Sequence, residues 1–110
     1  MLDTEKNILG KSRSGEVPWT FLTNHAHVLL CLAKNPSERM RDLAKIVGVT
    51  ERTVQRIVLE LEKSGYLEHI RIGRRNFYKI HSGLPLRHDV EKHKNVLDLI
   101  VLINGEFKNE

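Results

Sequence analysis

The chain has 110 residues, 40% of them hydrophobic and 29% charged, with one cysteine. That length suits one domain with a modest core and is too short for a self-contained doubly wound cofactor-binding enzyme. A single cysteine excludes an intrachain disulfide framework and a four-cysteine zinc site within one chain. Lys and Arg number 18 against 14 Asp and Glu, a net +4. The excess sits in the middle: residues 38–81 carry 10 basic and 6 acidic groups, whereas 1–37 are +1 and 82–110 are −1. A basic centre predicts an acidic partner, of which nucleic acid is the commonest. No apolar run approaches the ~18–20 residues of a membrane helix. Met1 to Gly15 lacks the apolar stretch of a secretory signal, and the lone Cys31 fits a reducing cytoplasmic setting.

Residues 1–17 are polar, with Gly10, Ser12, Ser14 and Gly15, and read as a flexible N-terminal arm. Val17-Pro18-Trp19 opens the ordered part, with Trp19, Phe21 and Leu22 as expected packing anchors. Thr23 or Asn24 suits the cap of a first helix running to about Lys34, with Val28, Leu29, Leu32 and Ala33 at helical spacing. Asn35-Pro36 stops it, because proline breaks the hydrogen-bond ladder. Arg39-Met40-Arg41 reads as a short extended link, a candidate bridge strand. A second helix is expected over Asp42 to Val47, ended by Gly48, and a third from Glu51 to about Ser64, capped by Thr50 and ended by Gly65. Val54, Ile57, Val58 and Leu61 form a single apolar stripe on that third helix.

A hairpin follows. Leu67–Ile72 and Phe77–Ile80 are rich in β-branched and aromatic residues, and Gly73-Arg74-Arg75-Asn76 lies between them. Tyr78 and Ile80 are expected to face inward. Ser82 to Pro85 then links to a last helix from about Arg87 to Ile103. Val96–Ile103 is apolar except for Asp98, so periodicity does not separate helix from strand there. Helix is preferred because the polar stretch His88–Asn95 runs into it without a turn signal.

Residues 40–61, MRDLAKIVGVTERTVQRIVLEL, hold a recognisable constellation. Ala44 lets two helices approach closely, Gly48 makes a sharp turn, Val49 plugs the angle, and Leu43, Val47, Val54 and Ile57 are apolar at set offsets. Thr50 starts the next helix by accepting from a free backbone N–H. This segment resembles a helix-turn-helix. Residues 61–81, LEKSGYLEHIRIGRRNFYKIH, extend the resemblance to the winged helix-turn-helix of MarR-type and ArsR-type bacterial and archaeal regulators. The resemblance covers residues 23–81. It implies a mainly α fold with a small β-hairpin: a three-helix core, a two-stranded wing and an extra C-terminal helix. It also implies a transcriptional regulator that binds double-stranded DNA, with residues 18–81 as the DNA-binding domain and 82–110 as linker and dimerisation helix.

The residues support that expectation independently. With the apolar stripe inward, the third helix turns Arg52, Thr53, Gln55 and Arg56 to solvent. An α-helix fits the major groove, where Arg bonds guanine, Gln bonds adenine and Thr meets a thymine methyl. Thr50 suits a phosphate at the helix N-terminus. Glu51 either accepts from cytosine or complements the helix dipole. Residues 69–81 contain Arg71, Arg74, Arg75 and Lys79 and no acidic group, with Asn76 beside them and His69 and His81 adding charge at lower pH. These suit a wing gripping the backbone or minor groove. The plain alternatives are a solvated helix face and an edge hairpin protected by charge.

Other sites are weaker. His25 and His27, two apart, diverge on a helix, as do His88 and His93. Asp89 and His93 would share a helical face, but two ligands do not make a metal site. Cys31 is expected to pack as a small hydrophobe. No nucleophile motif, phosphate loop or carboxylate pair suggests an enzyme, and no cofactor is implied. The apolar run exceeds what one helix face buries in its own chain. Val90, Val96, Leu97, Ile100, Val101 and Ile103 are therefore expected at a homodimer interface. Nothing indicates a small-molecule effector, which would enter at that interface or between the first and last helices. Two competing readings are a winged-helix protein-interaction module and a non-specific nucleic-acid binder, RNA included. The second predicts Lys-rich contacts where this chain presents Arg, Gln and Thr.

Overall fold

The computed structural model describes residues 18–108, so the arm expected over residues 1–17 lies outside the described residues. Helix α1 spans Asn24–Lys34, α2 Met40–Val47 and α3 Glu51–Lys63; strands β1, Leu67–Ile72, and β2, Arg75–Ile80, form a hairpin; α4 spans Val96–Asn104. The architecture is mainly helical, a three-helix core with a two-stranded antiparallel hairpin and a C-terminal helix.

The three core helices begin and end largely as the sequence dictates. The Thr23 hydroxyl accepts from the Ala26 N–H at 3.2 Å and caps α1. The Thr50 hydroxyl accepts from the Thr53 N–H at 3.1 Å and caps α3. Gly48 ends α2 at φ 88°, a left-handed conformation costly for any residue with a Cβ. There the N–H groups of Gly48 and Val49 both reach the Ala44 carbonyl, at 2.8 and 3.1 Å. Three residues, Gly48 to Thr50, thus carry the chain from α2 into α3.

The expected extended link at Arg39-Met40-Arg41 is instead the start of α2. Only Arg39 is extended, as the N-cap; Met40 and Arg41 are sound helix formers, and the Leu43 N–H already bonds the Arg39 carbonyl at 2.9 Å. Strand-like contact occurs a few residues earlier, where the Tyr78 N–H donates to the Pro36 carbonyl at 2.9 Å.

In the hairpin, Leu67 pairs with Ile80 and Ile72 with Arg75. The turn is therefore Gly73-Arg74 alone, and β2 starts two residues earlier than the composition suggests. Gly73 at φ 63°, followed by an arginine without positive φ, is the pattern of a tight two-residue hairpin. Tyr78 and Ile80 are buried, as expected.

The core joins all elements. Val28, Leu32, Leu43, Val54, Ile57 and Ile100 are almost fully buried. Trp19 and Phe21 are not the anchors they were expected to be: they are 67% and 91% exposed, with their rings edge-to-face on each other. Only Leu22 of that trio packs against the core.

The C-terminal region departs furthest from expectation. Residues 87–94 form turns, with the Glu91 N–H on the His88 carbonyl and the Lys94 N–H on the Glu91 carbonyl. Pro85 and Asn95 close this excursion as an isolated bridge. Helix α4 begins only at Val96 because Asn95 and Asp98 form a reciprocal capping box, at 2.9 and 3.0 Å. That start signal begins at the last residue of the polar stretch His88–Asn95 expected to be helical. Val96 and Ile100, expected at a dimer interface, are buried in the chain's own core, where α4 packs on α1. Val90 is exposed but lies among the turns, not on the helix.

Candidate nucleic-acid interface

Helix α3 divides cleanly. Val54, Ile57, Val58 and Leu61 are buried, while Arg52, Gln55 and Arg56 are exposed and Thr53 is half-buried. The side chains of Arg52 and Gln55 make no hydrogen bond or ion pair with another described residue and are free for a partner. The Thr50 hydroxyl is occupied as the cap and also donates to the Thr53 hydroxyl at 2.9 Å. An anion at this helix start would therefore meet backbone N–H groups first.

Arg56 is held. Its NH1 lies 3.2 and 3.3 Å from the two carboxylate oxygens of Glu60, one turn along. Glu60 Oε1 is also 2.7 Å from His25 Nε2 on α1. The His25 hydrogen bond, with Arg56 adding to it, holds the Glu60 carboxyl below the usual glutamate range.

The wing tip meets the starts of α2 and α3 around a concave notch of about 330 Å³, lined among others by Arg39, Arg41, Glu51, Arg74, Arg75 and Asn76. Arg75 is partly committed, its Nε donating to the Ser37 carbonyl at 3.0 Å. That bond straps the wing to the loop before α2. Arg74 makes no such bond and is exposed at the tip. Arg71 and Asn76 are cross-strand partners, 3.4 Å apart at their polar ends. Lys79 is cross-strand from Glu68, on the pleat face opposite Tyr78. Neither Arg71 nor Lys79 lines the notch.

Arg39 and Arg41 went unrecognised because they read as linker. They flank the start of α2, whose N-cap makes no side-chain hydrogen bond, so the positive end of that helix adds to their charge. Two arginines beside a predicted helix start were the available signal. The expected charge at His69 and His81 is tied up in part, since His69 contacts Glu62 and His81 stands 3.3 Å from Glu68.

A second concavity lies at the other end of α3. This groove of about 950 Å³ runs between the start of α1, the end of α3 and residues 86–99, with Phe21, Leu29, Leu61, Leu86 and Leu99 among its lining. Among the described residues no group of three or more His, Cys, Asp or Glu is placed to hold a metal. The shared face of Asp89 and His93 disappears with the helix that would have created it. Cys31 is half-buried against the core, and burial, with Glu38 nearby, raises its thiol pKa. No helix among the described residues is long and apolar enough to cross a membrane.

The family pattern described as winged helix-turn-helix DNA-binding matches residues 23–68. No curated protein matches the chain. Among solved structures, the PcaV transcriptional regulator from Streptomyces coelicolor, crystallised with its natural ligand, is 22% identical, with a TM-score of 0.47. The match covers 72% of this chain and 55% of that one, so this chain spans about half the length of that regulator.

Proposed function

We propose that this chain, whose residues 23–68 match the winged helix-turn-helix DNA-binding family pattern, is a cytoplasmic transcriptional regulator that reads double-stranded DNA as a homodimer. The observation that carries the reading is the meeting of α2, α3 and the wing tip around one arginine-rich notch. Helix α3 enters the major groove, and Arg52, Gln55 and Arg56 face base edges. Thr50, Arg39 and Arg41 sit at phosphates, and Arg74 and Arg75 carry the wing onto the flanking backbone or minor groove. Arg71, Asn76 and Lys79 add charge along the wing, and Thr53 borders the reading face.

Residues 18–81 bind DNA in this account, and 82–110 join two chains. Leu97, Val101, Leu102 and Ile103 remain exposed on α4 after the core is complete, Leu97 and Val101 on one face and the other two further round the helix, and this apolar surface suits a second copy. Leu102 was not among the expected interface residues; at 77% exposed it is the most open of the four.

A second reading, a protein-interaction module, draws on the outer wing face, where Ile70 and Phe77 are exposed cross-strand partners beside Ile72. Selection of bound duplexes from a random-sequence library at about physiological salt separates the two. An enriched inverted repeat with half-sites about one helical turn apart is expected. No enrichment from folded protein would overturn DNA reading and favour the interaction module.

A further inference from the structure

We infer that Glu60 orients Arg56 for base reading and that His25, on a different helix, holds Glu60 in place; this rests on the DNA-reading role proposed above. An exposed ion pair one turn apart on a helix is ordinarily worth little, because both side chains wander. Here the carboxylate has a second anchor. Glu60 Oε1 is 3.2 Å from Arg56 NH1 and 2.7 Å from His25 Nε2, thirty-five residues away in sequence. The carboxylate therefore bridges the recognition helix to α1, whose Val28, Leu29 and Leu32 are core residues.

The geometry leaves Arg56 competent. A guanidinium carries five N–H donors in a planar fork. With NH1 engaged by Glu60, its other two nitrogens remain free for a guanine edge. An arginine already held in one orientation gives up less rotamer freedom on binding than a loose one. Lys63 on α3 and Arg87, His88 and Glu91 from the following segment line the same groove, but none of them bonds Glu60. His25 and Arg56 are thus its partners among the described residues.

Glu60 also exerts an opposing effect. As an anion near phosphates it weakens binding to every sequence alike. Orientation and charge therefore predict opposite changes, which makes the role testable. Affinities are measured on the best selected duplex, on its single-base variants and on an unrelated duplex. Arg56→Ala is expected to reduce preference at one base pair by about fivefold or more. Glu60→Ala should reduce preference at that same base pair by about threefold, while affinity for the unrelated duplex holds or rises. The double variant should match Arg56→Ala in preference, because Glu60 influences preference only through Arg56. His25→Ala should reproduce part of the Glu60→Ala loss.

Intact preference in Glu60→Ala overturns the inference, whether affinity rises or falls uniformly across duplexes. So does additive loss of preference in the double variant. Unchanged preference in Arg56→Ala removes the reading role of Arg56 and this inference with it. A normal Arg56→Ala effect with no Glu60→Ala effect defeats the inference alone. No preferred duplex at all defeats the proposed function as well.

Discussion

Residues 40–65 and residues 86–104 are both rich in apolar side chains, yet only the first segment discloses its surfaces. In the helix-turn-helix most apolar residues are spaced along one stripe, with Ile46 and Leu59 the exposed exceptions. Leu43, Ala44, Val54, Ile57, Val58 and Leu61 go inward, and the polar residues between them become the outer face by subtraction. In α4 nearly every position is apolar. Val96 and Ile100 are buried and Leu102 is open, although the sequence around them treats all three alike. A sparse stripe identifies the core face and the functional face together. A saturated run identifies neither, and its register is set by a polar capping box at its start.

Substitutions separate the buried from the exposed positions of the two segments. Ile57→Ala and Ile100→Ala both remove a fully buried side chain and are expected to lower stability by about 2–5 kcal/mol in denaturant titrations. Leu102→Ala should cost under ~0.5 kcal/mol in the monomer. A cost for Leu102→Ala equal to that of Ile100→Ala would mean that α4 has a different buried face.

The exposed side of α4 gives the next effect. The paired substitution Val101→Lys with Leu102→Lys should shift sedimentation from dimer to monomer, raising the dimer Kd by about tenfold or more. The circular dichroism of the monomer should be unchanged. A variant that still sediments as a dimer would place the contact between chains elsewhere.

Removing the capping box by Asn95→Ala should cost about 1 kcal/mol. Thr50→Ala at the start of α3 should cost a similar amount, since both caps accept one backbone N–H. A negligible loss at Asn95 would mean that α4 does not depend on that start.

The smallest effect concerns pH. The Glu60 carboxyl is held below its ordinary range, mainly by the His25 hydrogen bond. The stability this contributes is present above the unfolded-state value and is lost as pH falls through the lower folded value. Glu60→Gln should therefore flatten the acid limb of a stability profile slightly. An acid limb of unchanged slope would show that the carboxylate is not held in solution.

Much of the proposed DNA-facing surface was legible because it follows from periodicity and punctuation. Thr23, Thr50, Gly48 and Gly65 bound the core helices through caps and positive-φ turns, and the stripe on α3 leaves Arg52, Gln55 and Arg56 outside. Arg39 and Arg41 escaped because α2 starts without a capping side chain, so its first turn reads as linker and their place beside a helix start is the one signal left. Arg56 and Glu60 are four apart and readable as a pair. The His25 contact spans two helices and appears only once they pack. Trp19 and Phe21 illustrate the reverse limit: large apolar rings suggest anchoring, but burial depends on what the rest of the fold places over them.

The proposed function is a division of labour in which α3 reads bases while the wing tip holds the backbone. Its most direct test is the affinity of Arg52→Ala and Arg74→Ala for the selected duplex and for a scrambled one, across a salt series. Arg52→Ala should lose about 1–3 kcal/mol on the selected duplex and much less on the scrambled one. Arg74→Ala should weaken both alike and lower the salt slope by about one. Equal losses on both duplexes for both variants, or no loss for either, would contradict this division of roles.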